Sequence, residues 1–245
     1  MSVAIEISNL EKIYGTGSVA KAVIKGLSLT IPKGEFIGIL GSNGAGKTTT
    51  INCVTGITEP TNGKISVLGH DVVSDYKIAR SKVGLSPQEF NIDLFQSPEQ
   101  ILYFQAGFFG IIGEDRKERV ERFLDIFELQ PHRTKRFQFL SGGLKRRVVV
   151  AKALIHNPEV IILDEPTAGV DVETRQALWK YLKDLHSEGK TIILTSHYLE
   201  EVQALCERVV VIKGGQIVYD AHMNDATEKG SLEKKYLEIV AEDKA

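Results

Sequence analysis

The chain is short of cysteine. It has two in 245 residues, Cys53 and Cys206, in unrelated contexts and without metal-ligand spacing. That excludes a disulfide-built secreted scaffold and a thiolate metal centre, and predicts small buried thiols in a reduced, cytosolic protein. Long hydrophobic runs are also missing. No stretch approaches the roughly 18–20 apolar residues that cross a bilayer. The opening MSVAIEISNLEK has neither the basic start nor the apolar core of a signal peptide. A protein soluble by itself is expected; if it serves a membrane, it does so through a partner. Charge of one sign is lacking too: 30 Lys and Arg face 32 Asp and Glu, a net of −2. This balance argues against nucleic acid as a partner. Repeats, low-complexity stretches and linkers are absent.

What is present is alternation. VAIEIS and AVIKGLSLTI read as β-strands of an antiparallel edge sheet. EFIGIL is a short apolar strand leading into a glycine loop, followed by the helix TTTINCVTG, which ends at Gly56. GKISVLG and KVGLSP are further strands. From Ser97 to about Asn157 the pattern turns helical, with segments SPEQILYFQAGFFGIIG, EDRKERVERFLDIFELQ and GLKRRVVVAKALIHN. Ser97-Pro98 with Glu99 predicts a helix start, because proline fits the first turn. Strands VIILDE and TIILTS then alternate with helices VETRQALWKYLKDLHSEG and YLEEVQALC, before strands RVVVIKGG and QIVYD and a charged helical tail. Fully apolar strands alternating with helices imply a parallel sheet covered on both faces.

Two segments carry chemistry. Gly41, Ser42, Asn43, Gly44, Ala45, Gly46, Lys47 and Thr48 fit the G-x-x-x-x-G-K-[ST] phosphate loop, and Thr49 continues it. Glycines let backbone N–H groups turn inward on phosphate oxygens, and the helix that follows adds its positive end. Lys47 is placed to reach the β- and γ-phosphates and the Thr48 hydroxyl to ligate Mg²⁺. Asp164 and Glu165 end the apolar strand VIILDE. At the carboxyl edge of a parallel sheet they face the ligand crevice. There Asp164 can hold Mg²⁺ through water, and Glu165 can orient the attacking water or take its proton. A third segment, LSGGLKRR (residues 140–147), resembles a second loop-to-helix anion site.

With the phosphate loop, LSGG and ILDEP in this order, the whole chain resembles the nucleotide-binding subunit of an ATP-binding-cassette (ABC) transporter. The resemblance implies an α/β fold: a P-loop NTPase core with a mostly parallel sheet, an N-terminal antiparallel β subdomain and an inserted α-helical subdomain. It implies an ATP-binding core at 1–94 and 158–222, a helical signature subdomain at 95–157 and a C-terminal helical tail at 223–245. It implies Mg-dependent ATP hydrolysis by two subunits packed head to tail, the second an identical copy or a homologous cassette. Ser141, Gly142 and Gly143 would complete the ATP site of the neighbouring subunit. Tyr14 matches the residue that stacks on adenine. Gln88 matches the glutamine that touches Mg²⁺ and the attacking water, Asp171 the dimer-interface aspartate, and His197 the histidine that contacts the γ-phosphate. Leu144 stands where many members have Gln, and AGVD where many have SALD. Both variants resemble the exporter subgroup whose integral membrane permease is a separate chain of the ABC-2 type. The implied place is the cytoplasmic face of the cell membrane. A soluble single-cassette ATPase serving a cytosolic assembly process is the alternative.

The helical insertion is rich in aromatics. Ile101, Phe104, Phe108 and Ile112 follow helical spacing and read as core. Leu102, Tyr103 and Phe109 fall partly outside that stripe and suggest a docking groove for a partner's helix as much as packing on the sheet. Lys145, Arg146 and Arg147 read as a solvated or phosphate-near helix face.

Overall fold

The computed structural model describes residues 2–228 and 232–241, so parts of the expected tail, 229–231 and 242–245, lie outside the described residues. The chain starts with β1 (Val3–Tyr14), β2 (Lys21–Pro32) and β3 (Phe36–Leu40), then α1 (Lys47–Val54), β4 (Asn62–Val67) and β5 (His70–Asp71). A short α2 (Tyr76–Ser81) leads to β6 (Val83–Ser86). Three helices follow, α3 (Pro98–Phe108), α4 (Gly113–Ile126) and α5 (Gly142–Leu154). The remainder runs β7 (Val160–Asp164), α6 (Val172–Ser187), β8 (Thr191–Thr195), α7 (Leu199–Leu205), β9 (Arg208–Lys213), β10 (Gln216–His222), α8 (Met223–Glu228) and α9 (Leu232–Ala241).

Two sheets result. One has the order β2-β1-β4-β5 and is antiparallel throughout. The other has the order β10-β9-β3-β8-β7-β6 and is parallel except at its β9–β10 edge. This is the expected α/β class. Strand side chains alternate between faces, and the central strands show it. Ile161, Leu163, Ile192 and Leu194 join a core with α3 to α7, while Val160, Ile162 and Ile193 join a second core with α1 and the antiparallel sheet. Both faces are therefore buried, which explains why these strands carry no polar alternation.

Register positions the site. Ile39 pairs with Thr195, Thr195 with Asp164, and Leu163 with Ser86. The loops after β3, β6, β7 and β8 thus leave the sheet at one carboxyl edge, where open α/β sheets hold their ligands.

The start of α3 agrees with its sequence signal. Ser97 caps the helix with Gln100 as its reciprocal partner, and Pro98 and Glu99 occupy the first turn. The expected core stripe is overturned. Ile101 is buried, but Phe104, Phe108 and Ile112 are 49%, 85% and 74% exposed. The buried face is Ile101, Leu102 and Ala106, and the helix ends at Phe108, so Ile112 lies beyond it. Both cysteines are free and buried, and burial pushes both thiols up in pKa. Among the described residues, no helix is long and apolar enough to cross a membrane.

Candidate functional site

Between β3 and α1 the chain makes a tight loop that only glycine can follow at two points. Gly46 has φ +113, and a Cβ there would lie 2.6 Å from Ile24 Cδ1. Gly41 packs so closely that a Cβ would sit 2.4 Å from the Ile212 carbonyl oxygen. The loop is braced from outside. Gly215, in the β9–β10 turn, donates its N–H to the Ala45 carbonyl at 2.9 Å and accepts from Lys25 N–H at 3.0 Å. The first N–H groups of α1 have no partner within the helix, and free donors at such a terminus suit an anion.

Lys47 is 6% exposed. Its ammonium donates to the carbonyls of Gly41 at 2.7 Å and Ser42 at 3.3 Å. An ammonium carries three donors, so one remains for a phosphate oxygen. Burial pushes its pKa down, against the pull of Glu165 and Asp164. The Thr48 hydroxyl donates to Asp164 Oδ2 at 3.0 Å. The other carboxylate oxygen of Asp164 accepts from the Thr195 hydroxyl. Glu165 follows in the left-handed region, φ +51, with its N–H on the Thr195 carbonyl and hydroxyl, both at 3.1 Å. That turn aims its carboxylate at Gln88, whose Nε2 donates to Oε2 at 2.9 Å. His197 Nδ1 lies 3.5 Å from the same oxygen. Ser42, Asn43, Gly44, Gly46, Lys47, Thr48, Thr49, Gln88 and Glu165 line one cleft, joined by Val23 of β2. Ala45 is buried beneath it, and Tyr14 stands exposed at the end of β1 with Lys12 Nζ 4.9 Å from its ring centre.

Ser141, Gly142 and Gly143 do not line this cleft. Ser141 caps α5, its hydroxyl accepting from Leu144 N–H at 3.3 Å. Asp171 caps α6 and belongs with this second group. It accepts from Thr174 N–H and Thr174 Oγ1, both at 2.8 Å, and those bonds hold its carboxyl below the usual range. Arg147 donates to Thr174 Oγ1 at 3.2 Å and pairs with Glu128, which ties α5 to α6. The basic run therefore does not form one solvated face, since Arg146 is 4% exposed.

The sequence profile described as ABC transporter matches residues 24–168, more than half of the chain. The chain belongs to the ABC transporter family. Among its relatives are proteins named Nod factor export ATP-binding protein I. The one from Burkholderia orbicola (strain AU 1054) is 41% identical over 218 residues, covering 88% of this chain and 70% of the relative. The one from Rhizobium etli (strain ATCC 51251 / DSM 11541 / JCM 21823 / NBRC 15573 / CFN 42) is 37% identical over 226 residues, covering 92% and 70%. A solved dimeric ATP-binding cassette, in a post-hydrolysis state bound to ADP and Pi, superposes with a TM-score of 0.84 at 28% identity, covering 89% of this chain and 98% of that one. An ABC cassette binds ATP, so the cleft is read as a nucleotide site.

The donor set also suits a hard cation. Thr48 Oγ1 and Asp164 Oδ2 are adjacent oxygen donors at the mouth of the phosphate loop, and Mg²⁺ is commonly held by one or two such groups plus phosphate oxygens. Among the described residues there is no cluster of three His, Cys, Asp or Glu side chains that could hold a metal. Sequence reasoning missed Thr195, Val23 and Arg146. A threonine ending a buried strand beside His197 was the available signal for the first.

Proposed function

We propose that this cassette is half of a dimeric, Mg-dependent ATP hydrolase that drives export through a separate integral membrane chain. One observation carries the reading. The cleft holds most of the phosphate loop together with Gln88 and Glu165, while the second helix terminus of anion-binding type opens at the exposed Ser141 and Gly142 and, like Asp171, does not line it. A second copy, or a homologous cassette, packed head to tail would bring that terminus onto this ATP. Two helix N-termini then face the γ-phosphate from opposite sides. The similar solved cassette is dimeric, which supports this arrangement.

In the working site the loop N–H groups from Gly41 to Thr49 and Lys47 bind the phosphates, and Tyr14 stacks on the base. Thr48, Asp164 and Gln88 would hold Mg²⁺, which neutralises phosphate charge when bound. Glu165 orients the attacking water and takes its proton. Gln88 holds the Glu165 carboxylate in place, and His197 contacts the γ-phosphate. The exposed face of Tyr103, Phe104, Phe108 and Ile112, too apolar for solvent, would dock a cytoplasmic helix of the membrane partner. Such docking places the cassette on the cytoplasmic face of the cell membrane, and the relatives named for export favour it over a soluble assembly role.

Glu165→Gln tests the chemistry. The amide keeps the size and the contact to Gln88 but removes the base, so hydrolysis should fall about 10²–10⁴-fold. Mg-ATP binding should persist, and an ATP-dependent dimer should accumulate on gel filtration. Turnover at the parent rate would exclude Glu165 as the base.

A further inference from the structure

The reaction groups depend on a loop that has little to hold it. Gln88 follows β6 in an exposed, irregular stretch, yet its side chain must meet Glu165. Arg146 supplies the missing constraint. It sits in the second turn of α5, the helix that the Ser141 signature opens. Its Nη1 donates to the Pro87 carbonyl at 2.9 Å and its Nη2 to the Gln88 carbonyl at 3.0 Å. The same guanidinium lies 5.1 Å from the Phe90 ring centre, and Phe90 meets Phe137 edge-on at 5.8 Å. A planar fork across two consecutive carbonyls fixes both the place and the orientation of the peptide that carries Gln88. Arg146 Nε finds no partner among the described residues. A buried guanidinium with one N–H unpaired is retained at a cost in stability. The acidic pair Asp164 and Glu165 lies near enough to favour its charge against burial.

We infer that Arg146 is a positioning residue for hydrolysis: it locks the Gln88 loop to the signature helix and so sets where Gln88 meets Glu165. The helix that reaches toward the neighbouring subunit's ATP is thereby tied to the hydrolytic groups of its own. The inference rests on the proposed roles of Gln88 and Glu165. Arg146 acts on hydrolysis chiefly by placing Gln88, whose backbone its fork holds.

A double-mutant cycle with Mg-ATP hydrolysis as the readout tests this. Arg146→Met should lower kcat about 10–100-fold, the loss that misplacing a positioned group by about 1 Å causes. KM for ATP should change less than about twofold, because the phosphate loop is untouched. Combined with Gln88→Ala, Arg146→Met should add less than about twofold, since the group it positions is gone. Arg146→Lys keeps the charge but cannot span both carbonyls, so it should show an intermediate loss. It carries the same cycle if the methionine variant does not fold. An undiminished kcat in the Arg146 variants, or an equal factor with and without Gln88, would overturn the inference. Gln88→Ala and Glu165→Gln alone test the underlying reading. If they are slow while the Arg146 variants are not, only the positioning role fails. If they run at the parent rate, the site assignment itself fails.

Discussion

Thr195→Val removes one oxygen from the centre of the site and leaves the shape of the side chain nearly unchanged. Thr195 is wholly buried at the end of β8. Its hydroxyl donates to Asp164 Oδ1 and accepts from Glu165 N–H at 3.1 Å. The Glu165 N–H keeps a partner, because the Thr195 carbonyl also lies at 3.1 Å. Asp164 keeps Thr48 at 3.0 Å on its other oxygen. The uncompensated loss is therefore one hydrogen bond to a buried carboxylate, worth about 1.5–3 kcal/mol. For a domain of this size each kcal/mol moves Tm by about 2–4 °C, so the variant should melt roughly 3–12 °C lower. A carboxylate free to turn should also hold Mg²⁺ less well, raising the Mg²⁺ concentration that half-saturates hydrolysis. Scanning calorimetry and a Mg²⁺ titration of ATPase activity measure the two effects. A Tm within about 1 °C of the parent, with an unchanged Mg²⁺ response, would refute the reasoning that Thr195 orients Asp164.

His156 predicts a pH effect away from the site. Its ring stacks on Phe109 at 3.6 Å, Nε2 meets the Val83 carbonyl at 3.2 Å, and Nδ1 is buried without a partner among the described residues. Burial pushes its pKa down to about 4. The unfolded chain binds a proton near pH 6.5, which the folded ring refuses until about pH 4, so stability is full above 6.5 and falls through that window. The loss is up to about 3 kcal/mol, and less where the ring keeps some solvent contact. His156→Phe should flatten the drop in Tm between pH 7 and pH 4.5; equal slopes in parent and variant would contradict this. Phe108→Arg, at an 85% exposed position, should change stability by less than about 0.5 kcal/mol yet abolish co-purification with the membrane partner. Undiminished co-purification would place the docking face elsewhere.

The phosphate loop, Asp164 and Glu165 were legible because their chemistry requires fixed residue types beside a strand end, and the strands announce themselves as unbroken apolar runs; Gln88 came only with the family resemblance. The α3 face was not. Helical spacing shows that Ile101, Phe104 and Phe108 share a side, but it cannot tell which side meets protein. The smaller Ile101, Leu102 and Ala106 face inward against the other helices, and the aromatics are left outside. Arg146 was hidden for a different reason. Within a basic run it reads as surface charge, and only the approach of the Pro87–Gln88 backbone, 58 and 59 residues away in the chain, makes its burial tolerable. Thr195 likewise depends on sheet register, which sets it beside Asp164 across the β7–β8 pair. The two-residue β5 and the six-residue α2 lie below the length at which periodicity is readable.

The central claim is that each working site is shared between two copies, and complementation tests it most directly. Lys47→Ala disables the phosphate loop, and Ser141→Arg blocks the signature end. Each variant alone should hydrolyse little ATP. Mixed together, they should regain activity, because a mixed dimer contains one site with an intact phosphate loop from one copy and an intact signature from the other. A mixture no more active than its components, or a Ser141→Arg protein that runs at the parent rate alone, would contradict the account.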